Sequence, residues 1–119
     1  MSVHAYQAYR QTQVSTASQG ELLLMLFDGA IRFARQAKEH LAEGDLEQVN
    51  DKLIRSQAIV NELSLALNFD AGEIAENLER LYDYIYQLLV QANISKDSEK
   101  IDSAVQMLDE LRDTWAQVV

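Results

Sequence analysis

The feature that most constrains this chain is a series of four segments in which apolar residues recur every three or four positions. That spacing places the apolar side chains on one face of an α-helix. Proline, which interrupts helices, is absent from all 119 residues. The pattern therefore predicts an all-α fold in which four amphipathic helices bury their apolar faces against one another.

Capping and turn residues mark where these helices begin and end. Ser18 opens a Ser-x-x-Glu capping box before the first apolar stripe, which stops near Gly44. Asp45 is the candidate cap of the second helix, the third begins near Gly72, and a short polar connection precedes the fourth. Helices joined by such short connections lie antiparallel to their neighbours in sequence. We therefore predict an antiparallel up-down four-helix bundle over residues 18–119.

The third helix carries three tyrosines, at alternate positions. Tyr82 and Tyr86 share a helix face at a spacing of four, whereas Tyr84 points the other way. Two interpretations remain open: at least one ring meets a groove or a partner, or the phenols lie at the rim of the core with their hydroxyls in water. The predicted core stripe of this helix is Ile74, Leu78, Leu81, Ile85, Leu88 and Ala92.

Two further features indicate apolar surface beyond what the bundle needs. On the second helix, Ile54, Ile59 and Leu65 fall off the core stripe, so that helix can bury a second side against a guest. Residues 1–17 are rich in Gln, Ser and Thr and carry Tyr6 and Tyr9 three positions apart. We predict that this segment is a flexible N-terminal arm and a cover for the surplus surface.

Composition and charge exclude several classes of function. The net charge is −9 and no segment has a stripe of Lys and Arg, so we predict no nucleic-acid partner. The longest apolar run, Leu22 to Phe27, is far shorter than the ~20 residues of a membrane helix, and no export signal precedes it, so we predict a cytoplasmic chain without direct membrane insertion.

No residues form a recognisable catalytic, metal or cofactor site. Cysteine is absent, the only histidines are His4 and His40, and neither follows a glutamate by three positions as di-iron bundles require. We therefore predict that the chain is not an enzyme and binds no cofactor or metal. A small helical-bundle metal carrier and an oligomeric scaffold are the alternatives to a binding module.

Six short motifs stand in order along nearly the whole chain: Tyr6-Gln7-Ala8-Tyr9, Ala17-Ser18-Gln19-Gly20-Glu21-Leu22, Met25-Leu26-Phe27-Asp28-Gly29-Ala30, Leu81-Tyr82-Asp83-Tyr84, Leu89-Val90-Gln91-Ala92-Asn93 and Arg112-Asp113-Thr114-Trp115. In their order and separations these motifs resemble the flagellin-specific export chaperone family, also called flagellar secretion chaperones. The chain departs from that family at Gln19, where proline is common, and at Thr114, where alanine is frequent. Neither change touches the periodic core.

The resemblance implies a chaperone that binds the disordered C-terminal segment of flagellin in the cytoplasm. It implies that binding prevents premature polymerisation and helps delivery to the flagellar type III export apparatus. By the same resemblance Tyr6 and Tyr9 belong to an arm that covers or clamps the guest groove. The candidate residues for the walls of that groove are Ile59, Leu63, Tyr82 and Tyr86.

Other motif residues are predicted to serve the fold. Gly29 lies in mid-helix, where glycine is less favourable than alanine by about 1 kcal/mol, so we expect a neighbouring helix to approach closely there. Trp115 extends the fourth apolar stripe and is predicted to be core. Asp28 has Arg32 as its candidate partner.

Overall fold

The computed structural model describes residues 18–118, and within that range the backbone forms four α-helices and one 3₁₀ turn. This confirms the predicted all-α fold. The arm predicted for residues 1–17 lies outside the described residues and stays a prediction. The elements are α1 (Gln19–Ala42), α2 (Leu46–Leu65), the 3₁₀ turn (Phe69–Ala71), α3 (Glu73–Ser95) and α4 (Ser98–Ala116).

Side-chain caps set the start of each of the first two helices. The Ser18 hydroxyl accepts a hydrogen bond from the amide of Glu21 at 3.1 Å, and the Asp45 carboxylate accepts one from the amide of Gln48 at 3.2 Å. These bonds satisfy amides that have no partner inside the helix. The boundaries predicted at Ser18 and Asp45 are confirmed.

The helices run antiparallel and form a closed ring of four. Between α1 and α4, Asp28 pairs with Arg112 at 2.9 Å, whereas Lys38, further along α1, pairs with Asp102, which lies earlier on α4, at 2.7 Å. Each helix contacts two others: α1 lies between α2 and α4, and α3 closes the ring on the opposite side. The predicted up-down arrangement is therefore confirmed over the described residues.

The interior is built around the aromatic residue Phe27, which is fully buried on α1. Its ring lies 6.2 Å from that of Tyr82 on α3, with the two planes tilted by 57°. Such tilted arrangements are the favourable geometry for aromatic pairs. A buried hydroxyl is also satisfied, because Ser56 on α2 donates to the carbonyl oxygen of Ala30 at 2.8 Å.

The predicted core stripe of α3 was partly wrong. Tyr82 and Leu89 are buried, while Ile74 is 68% exposed and Leu81 is 39% exposed. Apolar residues on α3 form two overlapping rows at helical spacing, which share Ile85, so spacing alone did not identify the inner row. Packing decides between the rows, because the Tyr82 ring lies beside Phe27 in the centre of the bundle.

The sequence also assigned the wrong partner to Asp28. Asp28 accepts a hydrogen bond from Arg112 on α4 at 2.9 Å. Arg32, its expected partner one turn along α1, instead places its guanidinium carbon 5.3 Å from the centre of the Phe33 ring. Trp115 packs against the core from α4, as predicted.

Candidate functional site

A groove of about 540 Å³ lies between α1 and α2. Its two rims are exposed apolar side chains: Met25 on α1 is 43% exposed and Ile54 on α2 is 50% exposed. An apolar depression with exposed apolar rims is typical of a surface that binds another protein. The apolar side of the groove is formed by Met25, Leu26 and Gly29 of α1 and by Ile54, Ala58 and Ile59 of α2.

Small residues give the groove its depth. Gly29 has no side chain, and a Cβ atom placed there would lie only 3.2 Å from the Cδ1 atom of Ile59. Ile59 therefore lies directly over the backbone of α1, and the close approach expected at Gly29 is confirmed. Ala58, beside Ile59, keeps the α2 side of the groove low.

The predicted wall residues do not form one surface. Ile59 lies in the α1/α2 groove, but Tyr82 and Tyr86 both line a separate cleft between α2 and α3. Leu63 is 1% exposed and Tyr82 is 2% exposed, so both side chains also belong to the core. As contacts with a guest these four residues stay predictions, and Tyr6 and Tyr9 lie outside the described residues.

The three tyrosines of α3 have different environments. Tyr82 is buried, and burial raises the pKa of its phenol, an effect that the side chain of Trp115 partly offsets. Tyr86 is partly buried against the core, and Tyr84 is 56% exposed. One phenol therefore belongs to the core, one lies at its rim, and one remains on the surface.

Sequence reasoning missed the α1 side of the groove. Neither Met25 nor Phe33 was predicted to line a groove, although both do, and Phe33 is only partly buried. A signal was present, because Met25, Gly29 and Phe33 follow one another at a spacing of four. Ile54 and Ala58 form the matching row on α2.

Positive charge gathers at the Phe33 end of the groove. The guanidinium carbons of Arg32 and Arg55 lie 5.3 Å and 5.9 Å from the centre of the Phe33 ring, and the Lys52 ammonium lies 5.7 Å from it. Each distance is within the range of a cation–π contact. Asp51 is the acidic residue among them, and it accepts a hydrogen bond from Arg55 at 3.0 Å.

A buried carboxylate lies on the same face of α2, one turn beyond Ala58 and Ile59. Glu62 is 3% exposed, and its Oε2 atom has no hydrogen-bond partner within residues 18–118. Burial raises the pKa of this carboxyl above its ordinary value, because the charged form loses its hydration. Ionised Glu62 therefore opposes folding at neutral pH.

Replacing Glu62 with glutamine is expected to stabilise the fold at neutral pH. Because the pKa of Glu62 is raised in the folded state, the folded state binds this proton more tightly than the unfolded state does. The ionised carboxylate therefore lowers the stability of the fold most at pH values above the folded pKa. This destabilisation disappears below the ordinary glutamate pKa of about 4.3, where both states are protonated. Urea unfolding of both chains at several pH values measures the difference. Equal stabilities at every pH would contradict the prediction.

The described part of the chain holds neither a candidate metal site nor a candidate membrane span. Residues 18–118 contain no group of three or more His, Cys, Asp or Glu side chains placed to hold a metal ion. None of the described helices combines the length and hydrophobicity needed to cross a membrane.

Known proteins match this chain along most of its length. The family model described as "Flagellar protein FliS" matches residues 2–119. A flagellar secretion chaperone FliS from Bacillus subtilis is 39% identical over 114 residues, which cover 96% of this chain and 85% of that protein. The protein of the same name from Salmonella typhimurium is 34% identical over 110 residues, covering 91% and 82% of the two chains.

A solved structure of a flagellar chaperone has the same fold as this chain. A crystal structure of a flagellar chaperone from bacteria superposes with a TM-score of 0.79 at 26% identity, covering 97% of this chain and 94% of that one. The family is one of chaperones, which confirms the prediction that the chain is not an enzyme. Since the family model matches residues 2–119 and the two relatives match more than nine-tenths of this chain, the chain belongs to the flagellar protein FliS family.

Proposed function

We propose that this chain is a flagellar export chaperone that binds the disordered C-terminal segment of flagellin in the cytoplasm. Binding prevents premature polymerisation of the guest and assists its delivery to the type III export apparatus. The observation that carries the proposal is the α1/α2 groove, whose apolar rims Met25 and Ile54 stay about half exposed in the bundle. The names of the relatives support an export chaperone role.

The shape of the groove suits an amphipathic helix. A helix presents apolar side chains at spacings of three and four, and the rows on α1 and α2 repeat at four. The guest buries its apolar face against Met25, Ile54 and Ile59 as it folds. Ordering a disordered segment consumes part of the binding energy, so moderate affinity is expected, which suits a guest that is later released.

Titration of the folded chain with a peptide from the flagellin C-terminus tests this proposal. We expect saturable binding with a Kd of about 10 μM or tighter, together with an increase in peptide helicity. A scrambled peptide of the same composition is the control, because it keeps hydrophobicity and charge but loses the amphipathic spacing. Absence of binding at about 50 μM peptide would contradict the proposed function.

We propose that Tyr6 and Tyr9 act on the same groove as a cover or a clamp. A Tyr6→Ala/Tyr9→Ala variant is expected to change the peptide Kd by about tenfold while leaving the thermal midpoint nearly unchanged. The Kd falls if the arm covers the empty groove, and it rises if the arm clamps the bound guest. Titration and thermal unfolding measure the two quantities. A large loss of thermal stability would show instead that the arm is part of the core.

A further inference from the structure

The groove is apolar along most of its length but cationic at one end. Arg32, Lys52 and Arg55 all lie within 6 Å of the Phe33 ring. We call these four residues the cationic corner. Because Arg32, Phe33 and Arg55 also line the groove, the corner is continuous with the apolar floor.

The cations of the corner exceed the carboxylates available to them. Asp51 lies 3.0 Å from the Nε atom of Arg55 and 3.9 Å from the ammonium of Lys52, so one carboxylate serves both. Arg32 has no carboxylate within ion-pair distance among residues 18–118. The three cations of the corner and the one carboxylate of Asp51 together carry a net charge of +2, in a chain of net charge −9.

Other cations of α1 are balanced, which makes the corner an exception. Arg35 pairs with Asp109 at 2.9 Å, and Lys38 pairs with Asp102 at 2.7 Å. Residues 73–116, which include α3 and α4, hold ten acidic side chains against four basic ones. The surplus positive charge is therefore local and lies beside the apolar groove.

We propose that the cationic corner binds an acidic side chain of the guest helix, one that flanks the guest's apolar face. A guanidinium or ammonium group forms its strongest hydrogen bonds with carboxylates, and the side chain of Lys52 is only 23% exposed, so solvent screens its charge less. Since the corner is at one end of the groove, this contact selects one direction and one register of the guest. The inference rests on the proposed function, because it specifies the guest of the same groove.

Two variants with the same change in net charge test the proposal. Arg32→Gln/Lys52→Gln neutralises two cations of the corner, and Arg80→Gln/Lys100→Gln neutralises two cations on α3 and α4. Glutamine is a good helix former, and circular dichroism verifies that both variants fold. Each is titrated with the flagellin C-terminal peptide, with the same peptide carrying Asn and Gln in place of Asp and Glu, and with the peptide amidated at its C-terminus.

The corner variant is expected to bind the acidic peptide about tenfold more weakly at low salt, with a shallower dependence on salt concentration. The control variant is expected to change the Kd by less than about twofold. The unaltered chain should bind the Asn/Gln peptide about tenfold more weakly than the acidic peptide. The corner substitutions should then weaken binding of the Asn/Gln peptide little further. That non-additivity identifies a direct contact.

Other results would overturn the inference in distinguishable ways. Equal losses in the two variants would indicate a general effect of net charge, and an unchanged Kd in the corner variant would leave the proposed function intact without this contact. Weakening by C-terminal amidation alone would assign the corner to the chain terminus instead of a side chain. Failure of the unaltered chain to bind any of the peptides would overturn both the inference and the proposed function.

Discussion

A Met25→Gln/Ile54→Gln variant is expected to bind the flagellin C-terminal peptide about 30-fold more weakly than the unaltered chain. Both side chains are roughly half exposed, so the free fold does not use their full apolar surface. Burying the remainder against a guest contributes about 1 kcal/mol for each residue, and an amide placed there adds a desolvation cost. Isothermal titration of the two chains measures the loss.

The matched control is Leu81→Gln/Ile94→Gln on α3. These residues are 39% and 72% exposed, close to or above the 43% and 50% of Met25 and Ile54, but neither lines the α1/α2 groove. The control should bind the peptide with nearly the affinity of the unaltered chain. An equal loss in both variants would show that general surface hydrophobicity, and not the α1/α2 groove, determines binding.

The second large effect concerns stability. Phe27→Ala is expected to reduce the free energy of unfolding by about 3–5 kcal/mol, because it removes a fully buried ring and leaves a cavity beside Tyr82. The comparison is Phe69→Ala, in the 3₁₀ turn, where the ring is 51% exposed and the loss should stay below about 1 kcal/mol. Urea unfolding at pH 7 measures both.

The same pair of variants tests the assignment of Tyr82 to the core. If Phe27→Ala were tolerated as well as Phe69→Ala, the aromatic centre between α1 and α3 would not determine stability.

The sequence predicted the fold well because the helix boundaries marked by local residues agree with the packing of the helices in the bundle. The caps at Ser18 and Asp45 and the turn at Gly72 are determined by nearby residues, and each lies at the start of a helix in the structure. Short connections then leave little choice but an antiparallel bundle. Capping residues, turn residues and short connections were therefore sufficient to predict the four-helix architecture.

The candidate site was predicted only in part, for a physical reason. Helical spacing shows which residues share a face, but not which neighbouring helix covers that face. Spacing therefore did not show that Leu63 and Tyr82 are buried, nor that Ile59 lies in the α1/α2 groove, and the role of these residues as guest contacts stays a prediction. Phe33 and Lys52, on different helices, meet only in the folded structure, so their contact had no signal in either segment alone.

The isoleucine δ1 methyl groups can be followed by NMR during titration with the flagellin C-terminal peptide, which shows directly where the guest binds. Ile54 and Ile59 line the groove, and Ile74 and Ile94 are exposed on α3. We expect the methyl signals of Ile54 and Ile59 to shift first and furthest, while those of Ile74 and Ile94 remain nearly constant. Large shifts at Ile74 or Ile94 with unchanged signals from Ile54 and Ile59 would contradict binding in the α1/α2 groove.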